Sequence, residues 1–333
     1  MGFYKKAARS FQRITFIRCL SGAAVFLILM SGILFSMEVD SFTLVVLPDT
    51  QLYSQQYAHI FMAQTAWIKR MRDSLNIVFV IQLGDITNRN NEMQWRNASR
   101  SLESLDGIVP YGLAPGNHDL GTGGSAHNRD SSLYNHFFPA SRFAPYPWFG
   151  GNYGDRNDNS YYLFEAGGMK FLALCLEFGP RDEVLQWADQ VLKRFPDRRV
   201  IVSTHSYLYS DDTRVGEGDK WNPHDYGCGG NDGEEMWDKF VSRHGGIFLV
   251  LSGHILNDGL GRVTSFGKDG NPVHQILANY QMKENGGNGW LRLMTFHPAE
   301  NIIRIRTYSP YLDKVAEDEQ NQFDLIYEMT SVK

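Results

Sequence analysis

The chain has 333 residues, 43% of them hydrophobic and 21% charged, an ordinary globular composition with enough apolar material for one large core or two small ones. A formal net charge of -5, with no Lys/Arg block beyond the N-terminus, leaves no basic footprint for a nucleic-acid backbone, so nucleic acid is not an expected partner. Its three cysteines, Cys19, Cys175 and Cys228, are too few and too scattered for a disulfide framework or a zinc ribbon.

Residues 1–40 read as a leader. Lys5, Lys6, Arg9, Arg13 and Arg18 come before any acidic residue, and an uncharged segment from Leu20 to Met37 follows. An apolar run of roughly 18 residues sits at the lower edge of what spans a bilayer, which fits a hydrophobic signal peptide or a membrane anchor through residues 20–37. The basic flank predicts that residues 41–333, the expected catalytic domain, lie outside the cytoplasm, whether secreted, periplasmic or anchored.

Phe42 to Leu47 reads as a short buried strand running into Pro48, Asp49, Thr50 and Gln51. Tyr57 to Ser74 has helix-like apolar spacing and leads to a second buried strand, Ile77 to Ile81, which breaks at Gly84-Asp85. A strand, helix, strand unit implies parallel pairing with a right-handed crossover, so Asp49 and Asp85 are expected at the same sheet edge, where open α/β sheets bind their ligands. After a helix over 90–105, a third strand from Ile108 to Ala114 is expected to end in Pro115, Gly116, Asn117, His118 and Asp119. Residues 120–160 are rich in Gly, Asn, Ser, Pro and aromatics without sustained periodicity, and read as a cap-like loop on the substrate side. A hairpin across Gly167-Gly168, a helix over 182–195 and a strand over 199–204 lead to His205. A second Gly/Asp/Asn-rich cap-like loop, 210–233, precedes a helix from Glu234 to Arg243 and a strand that ends in Ser252, Gly253 and His254. The short strands expected over 262–266, 273–278, 291–296, 302–308 and 323–328 would make a second sheet.

Asp49, Asp85, Asn117, His205 and His254 are oxygen and nitrogen donors on separate strand ends, the composition of a site for Mn, Fe, Zn or a similar divalent ion. Asp85, on the central strand, is placed to bridge two ions. Such a pair, roughly 3.5 to 4 Å apart, would acidify a shared water to hydroxide and clamp an in-line phosphoryl displacement. His118, with Asp119 to orient its ring, suits a general acid that protonates the leaving alkoxide.

This succession, Asp-x-Gln, Gly84-Asp85-Ile86-Thr87-Asn88, Gly116-Asn117-His118-Asp119, a later His and then Gly253-His254, resembles the calcineurin-like metallophosphoesterase superfamily over about residues 42 to 310. It is similar to an extracytoplasmic bacterial branch that opens on Pro-Asp-Thr-Gln. The resemblance implies a four-layer αββα sandwich of two mixed β-sheets flanked by helices. It also implies two divalent metal ions, one held by Asp49 and Asp85 and the other by Asp85, Asn117, His205 and His254. Two positions depart from the family pattern: Gln51 stands where a His is usual, and Leu256 where a second His completes the first shell. Gln51, Asn257 or a water is therefore expected to fill that shell, and the first site is expected to be the weaker.

Within the first cap-like loop, His127, Arg129, His136 and Arg142 are candidate contacts to a phosphate. The expected function is hydrolysis of a phosphomonoester or phosphodiester on a small phosphorylated substrate. The competing readings are a catalytically weakened metal-binding protein of the same fold and, with less support from the charge, a nuclease.

Overall fold

A computed structural model of the chain describes residues 41–329. The leader expected over 1–40, including the apolar stretch 20–37, lies outside the described residues. Among the described residues no helix is long and apolar enough to cross a membrane.

The strands, in chain order, are β1 (Phe42–Leu47), β2 (Ile77–Gln82), β3 (Tyr111–Gly112), β4 (Phe149–Asn152), β5 (Ser160–Ala166), β6 (Met169–Leu176), β7 (Arg199–Thr204), β8 (Ile247–Ser252), β9 (Leu260–Phe266), β10 (Pro272–Ala278), β11 (Leu291–His297), β12 (Ile302–Ser309), β13 (Lys314–Ala316) and β14 (Gln322–Ile326). The principal helices are α1 (Gln51–Gln55), α2 (Ala58–Met71), α3 (Glu92–Glu103), α4 (Ser132–Phe137), α5 (Ala140–Phe143), α6 (Asp182–Arg194) and α7 (Gly233–Lys239). The strands build two seven-stranded mixed sheets: one in the order β13-β12-β11-β1-β2-β3 with β14 on β12, the other in the order β4-β5-β6-β7-β8-β10-β9.

β1 and β2 pair in parallel, as do β6 with β7, β7 with β8 and β8 with β10. These are the strands whose sequences are apolar almost without interruption, because both their faces are covered. Between the sheets lies an aromatic layer. Phe42 stacks on Phe296 at 4.6 Å, Phe164 on Phe171 at 5.1 Å, and Phe79 on Phe164 at 4.9 Å, so rings of both sheets share one core. Outside, Trp67 of α2 packs on Tyr308 of the first sheet, while Val184, Ala188 and Val191 of α6 bury against Leu172, Leu174 and Val202 of the second. The result is the αββα sandwich that the resemblance implied.

Three expectations change. The third strand shrinks to Tyr111–Gly112, since Pro110 has no N–H for the ladder and only its carbonyl pairs, with Val80 N at 2.9 Å. The C-terminal strands do not form a sheet of their own: β9 and β10 extend the sheet of β8, whereas β11 crosses over to pair antiparallel with β1 and brings β12, β13 and β14 with it. The stretch 120–160 is not structureless, for α4 and α5 form within it and β4 adds to the edge of β5.

Candidate metal centre

The parallel strands point their C-terminal ends to one edge, and the residues that follow them carry the site: Asp49 after β1, Asp85 after β2, Asn117 after β3, His205 after β7 and His254 after β8. All five are at least 95% buried, between 1% and 5% exposed. Backbone bonds lock neighbouring strand ends together, from Thr50 N to the Asp85 carbonyl at 3.1 Å and from Gly253 N to the His205 carbonyl at 3.0 Å.

Asp85 occupies the centre. One of its carboxylate oxygens lies 3.1 Å from His205 Nε2 and accepts a 2.9 Å bond from the His118 backbone N–H. Asn117 Oδ1 stands 3.1 Å from the same His205 nitrogen, and Asp49 accepts from the His254 backbone N–H at 3.2 Å. Asp85, His205 and His254 each bring one donor atom within 4.8 Å of the others.

Each imidazole is turned by a carbonyl. His205 Nδ1 donates to the Leu83 carbonyl at 2.8 Å and His254 Nε2 to the Trp221 carbonyl at 2.8 Å, which leaves Nε2 of the first and Nδ1 of the second as the nitrogens that a cation, by displacing any proton there, would take. His118 Nδ1 donates to the Asn88 carbonyl at 2.9 Å, so its Nε2 is the end available to a substrate. These acceptors are backbone atoms, and no residue type in the sequence signals them.

The backbone carries strain to make this arrangement. Asp85 (φ 49°) and His254 (φ 72°) are left-handed, at a cost of order 1–2 kcal/mol each. Gly116 allows the closest approach: a Cβ there would stand 2.2 Å from Asp85 N and 2.3 Å from Asp85 Oδ1.

The electrostatics are those of a site with surplus negative charge. Burial raises Asp49 to about 7, opposed by His205 and reinforced by Asp85. Burial would also raise Asp85, but His205 and then His118 outweigh it and hold the carboxyl down at about 2. For His205 burial alone would lower the pKa; Asp85 and Asp49 overcome it and hold the ring at about 9. His254 is pushed down to about 3 by burial and by the charge on His205. Burial and the ionised Asp85 thus press Asp49 to keep its proton, a penalty that a divalent cation between the two carboxyls would relieve. Gln51 supplies an independent sign of fit. Its side chain is 4% exposed, its Nε2 reaches Asn88 Oδ1 at 3.5 Å, and its buried Oε1 has no partner in the protein. An unpaired amide oxygen two residues after Asp49 in sequence is a donor suited to a hard or borderline cation.

The other sequence candidates fare differently. Asp119 does not orient His118: its carboxylate accepts from the backbone N–H groups of Ile86 (2.9 Å), Thr87 (2.7 Å) and Gly116 (2.9 Å) and from Thr87 Oγ1 (2.9 Å). It clasps the loop after β2 to the loop after β3. Asn257 lies exposed on the turn after His254, with its amide donating to Ser210 Oγ at 2.7 Å. Arg129 donates to the carbonyls of Phe178, Gly179 and Gly229 and pairs with Glu177 at 3.3 Å, stapling the two cap-like loops together. Arg142 pairs with Asp106 at 3.1 Å and lies over the Phe138 ring. His127 and His136 are exposed, the first bonded to Ser125 and Asn128 and the second edge-on to Phe137. A charge bound within the loops is not available to a phosphate, so the structure gives Arg129 and Arg142 a packing role.

The sequence pattern of calcineurin-like phosphoesterases matches residues 42–258, a span that contains the whole cluster. The chain belongs to the calcineurin-like phosphoesterase family. It is 35% identical over 282 residues to the protein YvnB of Bacillus subtilis strain 168, covering 82% of this chain and 20% of that one. It is 26% identical over 132 residues to the probable glycerophosphodiester phosphodiesterase GpdQ of Arcobacter nitrofigilis, covering 38% of this chain and 40% of the relative. The chain thus spans about a fifth of the length of the first relative and two fifths of the second. Among solved structures, the purple acid phosphatase PPD1 of yellow lupin (Lupinus luteus) superposes with a TM-score of 0.55 at 12% identity, over 87% of this chain and 54% of that one, a likeness of fold. The matched span contains Asp85, Asn117, His205 and His254, with Gln51 and partly buried Leu256 at the two positions where the resemblance led to an expectation of histidine.

Proposed function

We propose that this phosphoesterase-family chain is a metal-dependent phosphohydrolase acting on a phosphomonoester or phosphodiester of a small molecule. The observation that carries the reading is the convergence of Asp85, His205 and His254 donor atoms within 4.8 Å, with His118 bonded to Asp85 through its backbone and its Nε2 free. Asp85, Asn117, His205 and His254 would hold one cation of the Mn, Fe or Zn kind, and Asp49, Asp85 and Gln51 a second. Such ions, when bound, supply Lewis-acid charge and a water acidic enough to attack a phosphorus near neutral pH. The chain itself keeps the donors dry and oriented through the Leu83 and Trp221 carbonyls, and it holds His118 so that Nε2–H can pass its proton to a departing alkoxide. The alternative of a binding protein without turnover is disfavoured by the intact second-site donors and by His118; a nuclease is disfavoured by the net charge of -5.

Hydrolysis of an aryl phosphate should depend on added Mn, Zn or Fe and disappear in Asp85→Asn, because the central carboxylate is shared by both expected ions. Full activity in excess chelator, or in the variant, would remove this mechanism. Substrate binding with no turnover in the metal-loaded protein would instead select the binding-protein reading. The basic and apolar leader supports an extracytoplasmic site of action, tested by the activity of a reporter fused after Lys333 on either side of the membrane.

A further inference from the structure

One further strand reaches the catalytic edge. β10 lies parallel to β8 with Leu277 opposite Ser252, so the residues after β10 emerge level with His254. The segment that follows runs from there to the helix that carries Gln51. At its start the Asn279 backbone N–H donates to the Gly259 carbonyl at 2.7 Å; at its end Gly289 N donates to Tyr53 Oη at 2.9 Å, and Gly286 closes on Leu52 of α1. Five successive residues, Asn285 to Gly289, have positive φ between 47° and 116°, a conformation held by this docking onto α1. The segment therefore bridges the two sheet edges between which the metal donors lie.

Two side chains on it are buried and incompletely paired. Asn279 is 4% exposed and Gln281 8% exposed. Asn279 Oδ1 accepts from Gln281 N at 3.0 Å, which fixes the amide and leaves Asn279 Nδ2 without an acceptor; Gln281 Oε1 has no donor. Buried polar atoms in this state cost roughly 1–3 kcal/mol each unless something pairs with them. The residue between them is clamped: Tyr280 Oη donates to Asn321 Oδ1 at 2.7 Å, lies 3.0 Å from Thr307 Oγ1 and accepts from Arg292 Nε at 3.1 Å. The two amides cannot relieve themselves by moving the backbone. Just beyond, Met282 is 70% exposed and gives the segment an apolar outer lip.

We propose that Asn279 and Gln281 form a specificity subsite for the hydroxyl-bearing alcohol of the phosphate ester, an inference that rests on the phosphohydrolase reading. The chemistry follows from the unpaired atoms. One is a neutral donor and the other a neutral acceptor, and a hydroxyl group answers both. Neither carries charge for a second anion, and an amide nitrogen is no metal ligand. The two residues act on which ester binds and leave the metal donors and His118 untouched.

The test uses the full chain loaded with Mn and two uncleavable probes, 3,4-dihydroxybutylphosphonate and butylphosphonate, in which a methylene replaces the ester oxygen of glyceryl and propyl phosphate, with binding measured by calorimetry. The wild-type protein should bind the dihydroxybutyl probe about tenfold more tightly, the scale of one or two neutral hydrogen bonds. Asn279→Ala and Gln281→Leu should each remove most of that preference while binding of butylphosphonate and metal content stay as they were. Equal binding of the two probes by the wild type overturns the proposal, as does equal weakening of both probes in the variants. Loss of metal in Gln281→Leu would overturn it too and make Gln281 a ligand. Should Gln281→Leu fail to fold, Asn279→Ala and the wild-type preference decide. Because neither probe is hydrolysed, preserved preference without turnover on true esters would count against the hydrolase reading alone.

Discussion

His118 and Asp119 are adjacent in sequence and differ completely in what they do. His118 keeps a free Nε2 beside the centre, so His118→Ala should lower kcat by about 10²–10⁴-fold for an alkyl phosphate, which needs its leaving oxygen protonated, and far less for nitrophenyl phosphate. Equal losses for the two leaving groups, at unchanged metal content, would remove His118 as the acid. Asp119 is fully buried and its carboxylate receives three backbone N–H groups. Burial, then the nearby Asp85 charge, raises its pKa to about 6 against those bonds. Asp119→Ala should therefore act on folding: leaving three buried donors unpaired costs more than about 3 kcal/mol, read as a lower urea midpoint in protein without added metal. A variant as stable as the parent would show that water replaces the carboxylate. The Gly-Asn-His-Asp run was legible as a site in the sequence, but the division of labour within it was not, since Asp119's partners lie 32 and 33 residues away.

Among the elements, β10 joins the two sheets through one ring. His274 is 4% exposed; its Nε2 donates to the Ile326 carbonyl of β14 at 3.1 Å and its Nδ1 accepts from Thr264 Oγ1 of β9 at 2.8 Å. Asp324 and Arg262 line the same groove. Burial lowers its pKa below the usual histidine value, because the dry, doubly bonded ring resists a second proton. A depressed folded pKa means that the neutral ring's contribution is fully present above the unfolded value of about 6.5 and is lost as pH falls through the lower folded value. His274→Gln should therefore lower the thermal midpoint above about pH 7 and lose less than the parent as pH falls below about 6.5. Parallel pH dependences for the two proteins would contradict this account. The periodicity of β9 to β14 marked these segments as strands but not their sheet. β12 buries alternate residues whichever sheet it joins, and the choice was made by β11 finding the free edge of β1.

The whole molecule is built so that strand ends of two sheets meet at one edge, and its two expected cation sites are unequal. The second has two imidazoles, an amide and Asp85; the first has Asp49, Asp85 and the Gln51 oxygen. Amide oxygen binds borderline metals more weakly than imidazole does. Titration with chelator, followed by elemental analysis, should show one ion leaving at lower chelator concentration than the other. Gln51→His with Leu256→His should bring the two steps together, and simultaneous loss of both ions from the parent protein would mean that another group already completes the first shell. Sequence alone determined which strand ends carry carboxylate, amide or imidazole and that β1, α2 and β2 form a parallel unit, and the order of those strand ends carried the resemblance that implied the phosphoesterase fold. Those features are local, set by apolar runs and by the residue that breaks each one. Only the tertiary structure decided which carbonyls turn the imidazoles, that Arg129 and Arg142 serve the loops, that Asp119 is a clasp, and that Asn279 and Gln281 stand at the same edge as His254. Each depends on backbone groups or on sheet neighbours remote in sequence, and these become partners only when the two sheets close on their common aromatic layer.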